Sequence, residues 1–225
     1  MIDSLMAFRI IKVKPTVSPK RAAFYSLASA FFFFLFVIFT LLVRANLFNS
    51  FDFNMTHRLQ NNIPLRLDPY FSTFSILGRF EFTIIVLGLI LLLRRQIFGI
   101  LIFGIFGFAH IIEIIGKSIL EHPGPPNMFL RSHFTDFPGL YVHTQASYPS
   151  GHSMRIVILG ILIAAVILEI KKLPKFLRAL SLAGIGGIVF MMLLSRVSLG
   201  EHWTTDVIGG ALLGLSTAFL SLIFL

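Results

Sequence analysis

Cysteine is absent from the 225 residues, so neither a disulfide nor a thiolate metal site is available to this chain. Charge is scarce, at 13% of residues, and acidic side chains are scarcer still, 10 against 19 lysines and arginines. No long repeat or low-complexity tract is present beyond the phenylalanine cluster Phe31–Phe34, which reads as lipid-facing bulk.

What fills the chain instead is apolar: 56% hydrophobic residues, with 26 phenylalanines. One soluble core of this size cannot hide that much greasy surface, and several runs approach the ~20 residues that cross ~30 Å of hydrocarbon. The pattern predicts an all-α, polytopic membrane protein with a basic cytoplasmic segment at 1–21 and a six-span helix bundle over 22–225. The net charge of +9 is therefore read first as a topology signal, not as a nucleic-acid footprint.

The run at 22–43 is too long for a signal-peptide core and no small-residue cleavage site follows it, which predicts a retained anchor. The second span is the weakest. Phe82–Leu93 alone reaches only ~18 Å, so the span must extend back to about Ser75, with Arg79 and Glu81 snorkelling at its outer end. The remaining spans fall at 97–117, 150–170, 177–195 and 206–225. The proline-rich connection at 118–148 predicts a loop with a short surface helix.

Placing both termini inside puts Arg9, Lys12, Lys14, Lys20, Arg21, Arg94, Arg95, Lys171, Lys172, Lys175 and Arg178 on the cytoplasmic side, as the positive-inside rule asks. Ends of odd spans and starts of even spans then share the outer face. Topology alone thereby delivers three polar clusters to one side: Lys117 at the end of the third span, Ser150-Gly151-His152 at the start of the fourth, and Arg196 with His202 and Asp206 between the fifth and sixth.

Their chemistry is complementary. Lys117 and Arg196 carry fixed positive charge, and an arginine fork matches phosphate oxygens. Ser150 is a suitable N-cap, so the amides that follow it and the positive end of the helix dipole favour an anion. His202 and Asp206 are one helical turn apart, so the carboxylate can take one ring nitrogen and leave the other as a nucleophile. His152 is the remaining candidate acid. The stripe His110, Glu113, Lys117 faces the bundle, and Glu113 is expected to orient the lysine. His122, His133 and His143 read as solvated loop histidines; a metal is not expected beside so much positive charge. Gly210 and Gly214 predict close packing of the sixth span on a neighbouring span, and Trp203 predicts a headgroup-level anchor.

The set resembles the type 2 phosphatidic acid phosphatase superfamily. Its signature is a lysine followed after six residues by Arg-Pro, then Pro-Ser-Gly-His, then Ser-Arg, five residues, His, three residues, Asp. Here the second motif is Pro149-Ser150-Gly151-His152, and the third is Ser195-Arg196, His202 and Asp206 at the same spacing. By that resemblance His202 attacks phosphorus and forms a phosphohistidine, Asp206 holds it, and His152 protonates the leaving oxygen. Lys117, Ser150, Gly151 and Arg196 then bind the phosphoryl oxygens, without a metal or other cofactor. The resemblance implies a lipid phosphate or diphosphate substrate in a bacterial inner membrane. An isoprenyl diphosphate carrier such as undecaprenyl diphosphate ranks first, phosphatidic acid or phosphatidylglycerol phosphate next.

The first motif departs from the pattern: six residues after Lys117 stands Gly124-Pro125 in place of Arg-Pro. Arg131 in the same loop is the favoured substitute, with Arg155 second. The departure keeps two alternatives open, a lipid phosphotransferase using the same histidine and a non-catalytic lipid-binding or transport protein on the same fold.

Overall fold

The computed structural model describes residues 17–94, 97–131 and 146–225. Arg9, Lys12, Lys14, Arg95, His133 and His143 lie outside the described residues. The α-helices, among the described residues, are α1 (Pro19–Arg44), α2 (Asn49–Asn62), α3 (Asp68–Phe74), α4 (Phe80–Arg94), α5 (Ile100–Ile119), α6 (Gly151–Glu169), α7 (Lys175–Ser198) and α8 (Thr204–Ser221). No β-strand occurs among them.

Five helices (α1, α5, α6, α7 and α8) are long and apolar enough to cross a membrane, and a sixth span follows if the segments on either side of Arg79 are taken together. That second span is not the straight helix expected from about Ser75. Leu65–Gly78 and Phe80–Arg94 meet at 54°, with a tight helical turn at Ser75–Gly78 between them. The bend has a packing reason. The turn lies over the start of α6, so closely that a side chain at Gly78 would strike the His152 ring, and the Gly78 carbonyl accepts from Arg155 Nε at 2.7 Å. The segment expected to be merely polar between the first two spans carries two helices, α2 and α3.

α6 is the central helix, packed against α8, α7, α4 and the Ser75–Gly78 turn, while α8 carries α1 and α5 on its other sides. Lipid tails supply no hydrophobic force between helices, so association depends on close packing and interhelical hydrogen bonds. Gly210 and Gly214 meet that need against α6. A side chain at Gly210 would collide with the Ser150 carbonyl, and one at Gly214 would lie 2.6 Å from the Met154 carbonyl. Across α1 and α8, Ser216 Oγ donates to the Ser29 carbonyl at 3.0 Å. Phe31, Phe33 and Phe34 face outward, as lipid-facing bulk should, whereas Phe32 stacks on Phe219 with centroids 5.6 Å apart.

The two ends of the bundle differ. At one end Arg94 ties α4 to Glu169 of α6 and to the Leu225 carbonyl, beside exposed Lys171, Lys172 and Lys175. At the other end lie the starts of α6 and α8 and the finish of α7, where the chemistry-bearing residues gather. Replacing Gly214 with leucine is expected to force α8 off α6 and to destabilise the protein by about 1–3 kcal/mol. Thermal unfolding in detergent checks this, and an unchanged midpoint would contradict the close approach.

Candidate active site

Ser147–Ser150 form the strap from which the site is built. Ser147 N donates to the His122 carbonyl at 2.9 Å, and Ser150 N donates to the Asp206 carbonyl at 3.0 Å. Between them Tyr148 is fully buried, its hydroxyl 2.8 Å from Thr40 Oγ1 on α1 and its ring stacked on Phe36. Burial pushes the Tyr148 phenol above its ordinary value, which keeps it a neutral structural group. The strap is thus clamped between α1 and α8, and α6 starts beside Asp206.

Asp206 is wholly buried in the first turn of α8, where a carboxylate is favoured by the helix dipole. Its Oδ2 accepts from Trp203 N at 2.8 Å and from the Ser147 hydroxyl at 2.5 Å. His202 Nδ1 lies 2.8 Å from Ser147 Oγ and 3.4 Å from Asp206 Oδ2. The geometry assigns the tautomer. A serine hydroxyl has one hydrogen, and here it goes to Asp206, so toward His202 the oxygen is an acceptor. Nδ1 therefore carries the ring proton, and Nε2 keeps its lone pair.

Sequence reasoning missed Ser147, which stands just before the motif, and misread His122. Far from being solvated, His122 is 7% exposed, its Nε2 is 3.4 Å from Asp206 Oδ1, and its ring meets Tyr148 edge-on. The buried carboxylate is thus flanked by two histidines. Beneath them Asp52 of α2 accepts from Thr205 N at 2.9 Å and from Thr205 Oγ1 at 2.6 Å, fixing the start of α8.

The other expected residues converge on His152. That ring is buried, its Nε2 has no hydrogen-bond partner among the described residues, and the fixed positive charges of Arg196, Arg155 and Lys117 bear on it. Arg196 is completely buried and is held by Glu201 and by Ser75, two partners the sequence did not suggest. Gly200, at φ 70°, makes the turn after α7, and a side chain there would run into the Phe129 carbonyl. Ser150 caps α6: its Oγ accepts from Ser153 N at 3.4 Å and Ser153 Oγ at 3.0 Å, which leaves its own hydrogen for a ligand. The first-turn amides of Gly151 and His152 have no intrahelical acceptor. Lys117 Nζ is 2.9 Å from Glu113 Oε1, and the other oxygen of Glu113 meets His110 Nδ1 and Arg155, each at 2.9 Å.

Arg131 is not brought to this group. Its amino groups donate to the Gln60 carbonyl at 2.7 Å and the Ile63 carbonyl at 3.2 Å, capping the open C-terminal end of α2. The expectation that this loop arginine folds over the pocket is corrected accordingly. Trp203 is likewise engaged, its indole donating to the Pro123 carbonyl at 2.8 Å.

A bundle of membrane-spanning helices that closes two histidines, a buried carboxylate and several cations into one end defines an integral membrane protein with a site built for phosphate chemistry. The chain belongs to the PAP2 superfamily, whose pattern it matches over residues 97–225. It is 31% identical to phosphatidylglycerophosphatase B of Bacillus subtilis (strain 168) over 140 residues, 61% of this chain and 63% of that protein's length. In three dimensions it resembles the transmembrane PAP2-type phosphatidylglycerolphosphate phosphatase from Bacillus subtilis. That match has a TM-score of 0.67 and 25% identity over 86% of this chain and 94% of the other. LpxE from Aquifex aeolicus shares the fold, with a TM-score of 0.56 and 19% identity over 76% of this chain and 94% of that one.

Ser147→Ala removes the hydroxyl that bridges His202 and Asp206, leaving only their long 3.4 Å contact, and is expected to lower kcat about ten- to a hundredfold with KM little changed; steady-state kinetics check it. Burial pushes the Asp52 carboxyl above its ordinary value, against the pull of the Thr205 hydrogen bonds. The fold then holds that proton more tightly than the unfolded chain does, so the stability it adds is full at low pH and falls as pH rises. The stability of wild type relative to Asp52→Asn is expected to shrink as pH rises above the ordinary carboxylate range of about 4. An advantage that grew with pH would contradict the assignment.

Proposed function

We propose that this protein is a membrane lipid phosphatase that works through a phosphohistidine on His202. The observation that carries the reading is the tautomer imposed on His202 by Ser147 and Asp206, which leaves Nε2 free to attack. In the first step a bond forms from Nε2 to phosphorus and the bond from phosphorus to the lipid oxygen breaks. His152 gives its proton to that oxygen. In the second step the same histidine, now neutral, takes a proton from water as the water attacks phosphorus, and inorganic phosphate leaves with His202 restored. Arg196, Lys117, the Ser150 hydroxyl and the amides of Gly151 and His152 face the charge that builds on the phosphoryl oxygens.

The site lies at one end of the spans, so a lipid can keep its tail in the bilayer while its phosphate enters. Lysines and arginines cluster at the opposite end, which supports an orientation with both termini cytoplasmic and the site at the outer face, in a bacterial inner membrane. The two Bacillus subtilis matches are named for phosphatidylglycerol phosphate, and this favours that lipid over the isoprenyl diphosphate ranked first on family analogy.

Purified protein in mixed micelles is expected to release phosphate from phosphatidylglycerol phosphate faster than from phosphatidic acid or undecaprenyl diphosphate. His202→Ala should remove that activity, and orthovanadate should inhibit it. The rate should be bell-shaped in pH, because one histidine must be neutral while the other is protonated. Equal rates in wild type and His202→Ala would sink the reading. Transfer of the group to an added alcohol in preference to water would replace hydrolysis with phosphotransfer.

A further inference from the structure

Position 124, where the family pattern has an arginine, lies beside Ser147, which holds His202 and Asp206. A Cβ on Gly124 would lie in ordinary contact with Ser147, 3.5 Å from its Cβ and 3.6 Å from its Oγ. A Cβ fits there without displacing Ser147, and glycine itself brings no cation to that side of the His202–Ser147–Asp206 trio. Arg131 does not supply one, since its guanidinium serves α2.

A buried arginine stands over the start of α6 instead. Arg155, one turn into α6, is 7% exposed. Its Nε is engaged by the Gly78 carbonyl at 2.7 Å and its Nη1 by Glu113 at 2.9 Å, so two points of the planar fork are fixed. The third, Nη2, has no hydrogen-bond acceptor among the described residues. It lies over the Pro-Ser-Gly-His turn, 2.5 Å from where a Gly151 Cβ would be. Glycine at 151 is what lets the Arg155 fork and the Glu113 carboxylate come over the turn that binds anions. The charge balance points the same way. One carboxylate, Glu113, faces both Lys117 and Arg155, which leaves a surplus of positive charge for a phosphate group.

We propose that Arg155 supplies, from Nη2 beside Gly151, the guanidinium contact to the transferring phosphoryl group that position 124 lacks. Glu113 is then a positioning residue that aligns Arg155 and Lys117 together. The assignment rests on the phosphohistidine reading of the site but is tested apart from it.

The test uses full-length protein and two readouts, kcat/KM on a lipid phosphate and inhibition or direct binding of orthovanadate. Arg155→Gln is expected to lower kcat/KM and vanadate affinity about ten- to a hundredfold, the range of a charge-assisted hydrogen bond, and Arg155→Lys less. Because Arg155→Gln alone also takes one of three partners from the buried Glu113 carboxylate, Glu113→Gln/Arg155→Gln is the decisive variant. It should unfold close to the wild-type temperature and still bind vanadate weakly. Gly124→Arg added to Arg155→Gln should regain part of the lost affinity, since it returns a guanidinium to the pocket from the other side. Wild-type kinetics in Glu113→Gln/Arg155→Gln would show that the arginine only neutralises Glu113, and would overturn the proposal. A folded Gly124→Arg/Arg155→Gln protein that regains no vanadate affinity would overturn it too. Loss of vanadate binding in Arg155→Gln supports the assignment even where a lipid panel gives no turnover.

Discussion

The contact between α6 and α8 is the constraint on which everything else depends. Helices in lipid gain nothing from hiding apolar surface from each other, so only small residues and shared hydrogen bonds bring two backbones this close. Gly210 and Gly214 remove the obstacle, and the bond from Ser150 N to the Asp206 carbonyl fixes the register. With that register set, the start of α6 delivers His152 and the Pro-Ser-Gly-His turn to the same place where the start of α8 delivers His202 and Asp206. A slip of one residue along either helix would rotate one histidine about 100° away from the other.

The second constraint is the management of buried charge. An unpaired ion away from water is costly enough to unfold a bundle, so each cation here has an anion or dipole within reach. Glu113 fastens Lys117 and Arg155, and Glu201 with Ser75 fastens Arg196. Asp206 is secured by Ser147 and the Trp203 amide, with His122 alongside. Every one of these partners holds a side chain in place without removing the positive surplus that a phosphate would meet. A strand of loop, Ser147–Ser150, joins the two systems, which explains why Tyr148 is locked so firmly between α1 and α8.

Much of this was legible in the residues. Long apolar runs announced the spans, and the order and spacing of the motifs announced which ends would meet. The bend at Arg79 was not legible, because it follows from Gly78 packing over His152, a contact no local pattern encodes. Ser147 was invisible for a similar reason: its two partners lie 55 and 59 residues away, and a serine before a proline turn carries no signal of its own. His122 was misread because loops usually run over surfaces, whereas this one is pinned by the bridge between Pro123 and Ala146. Arg131 looked available for the pocket until the exposed carbonyls at the end of α2 came into view.

The most direct measurement is to find where phosphorus resides during turnover. Protein mixed with a radiolabelled lipid phosphate and quenched in alkali within the first turnover should carry acid-labile, base-stable label, and peptide mapping should place it on His202. Label on another residue, or hydrolysis without any labelled protein on that timescale, would contradict the proposed role of His202, the ring that Ser147 and Asp206 hold in place.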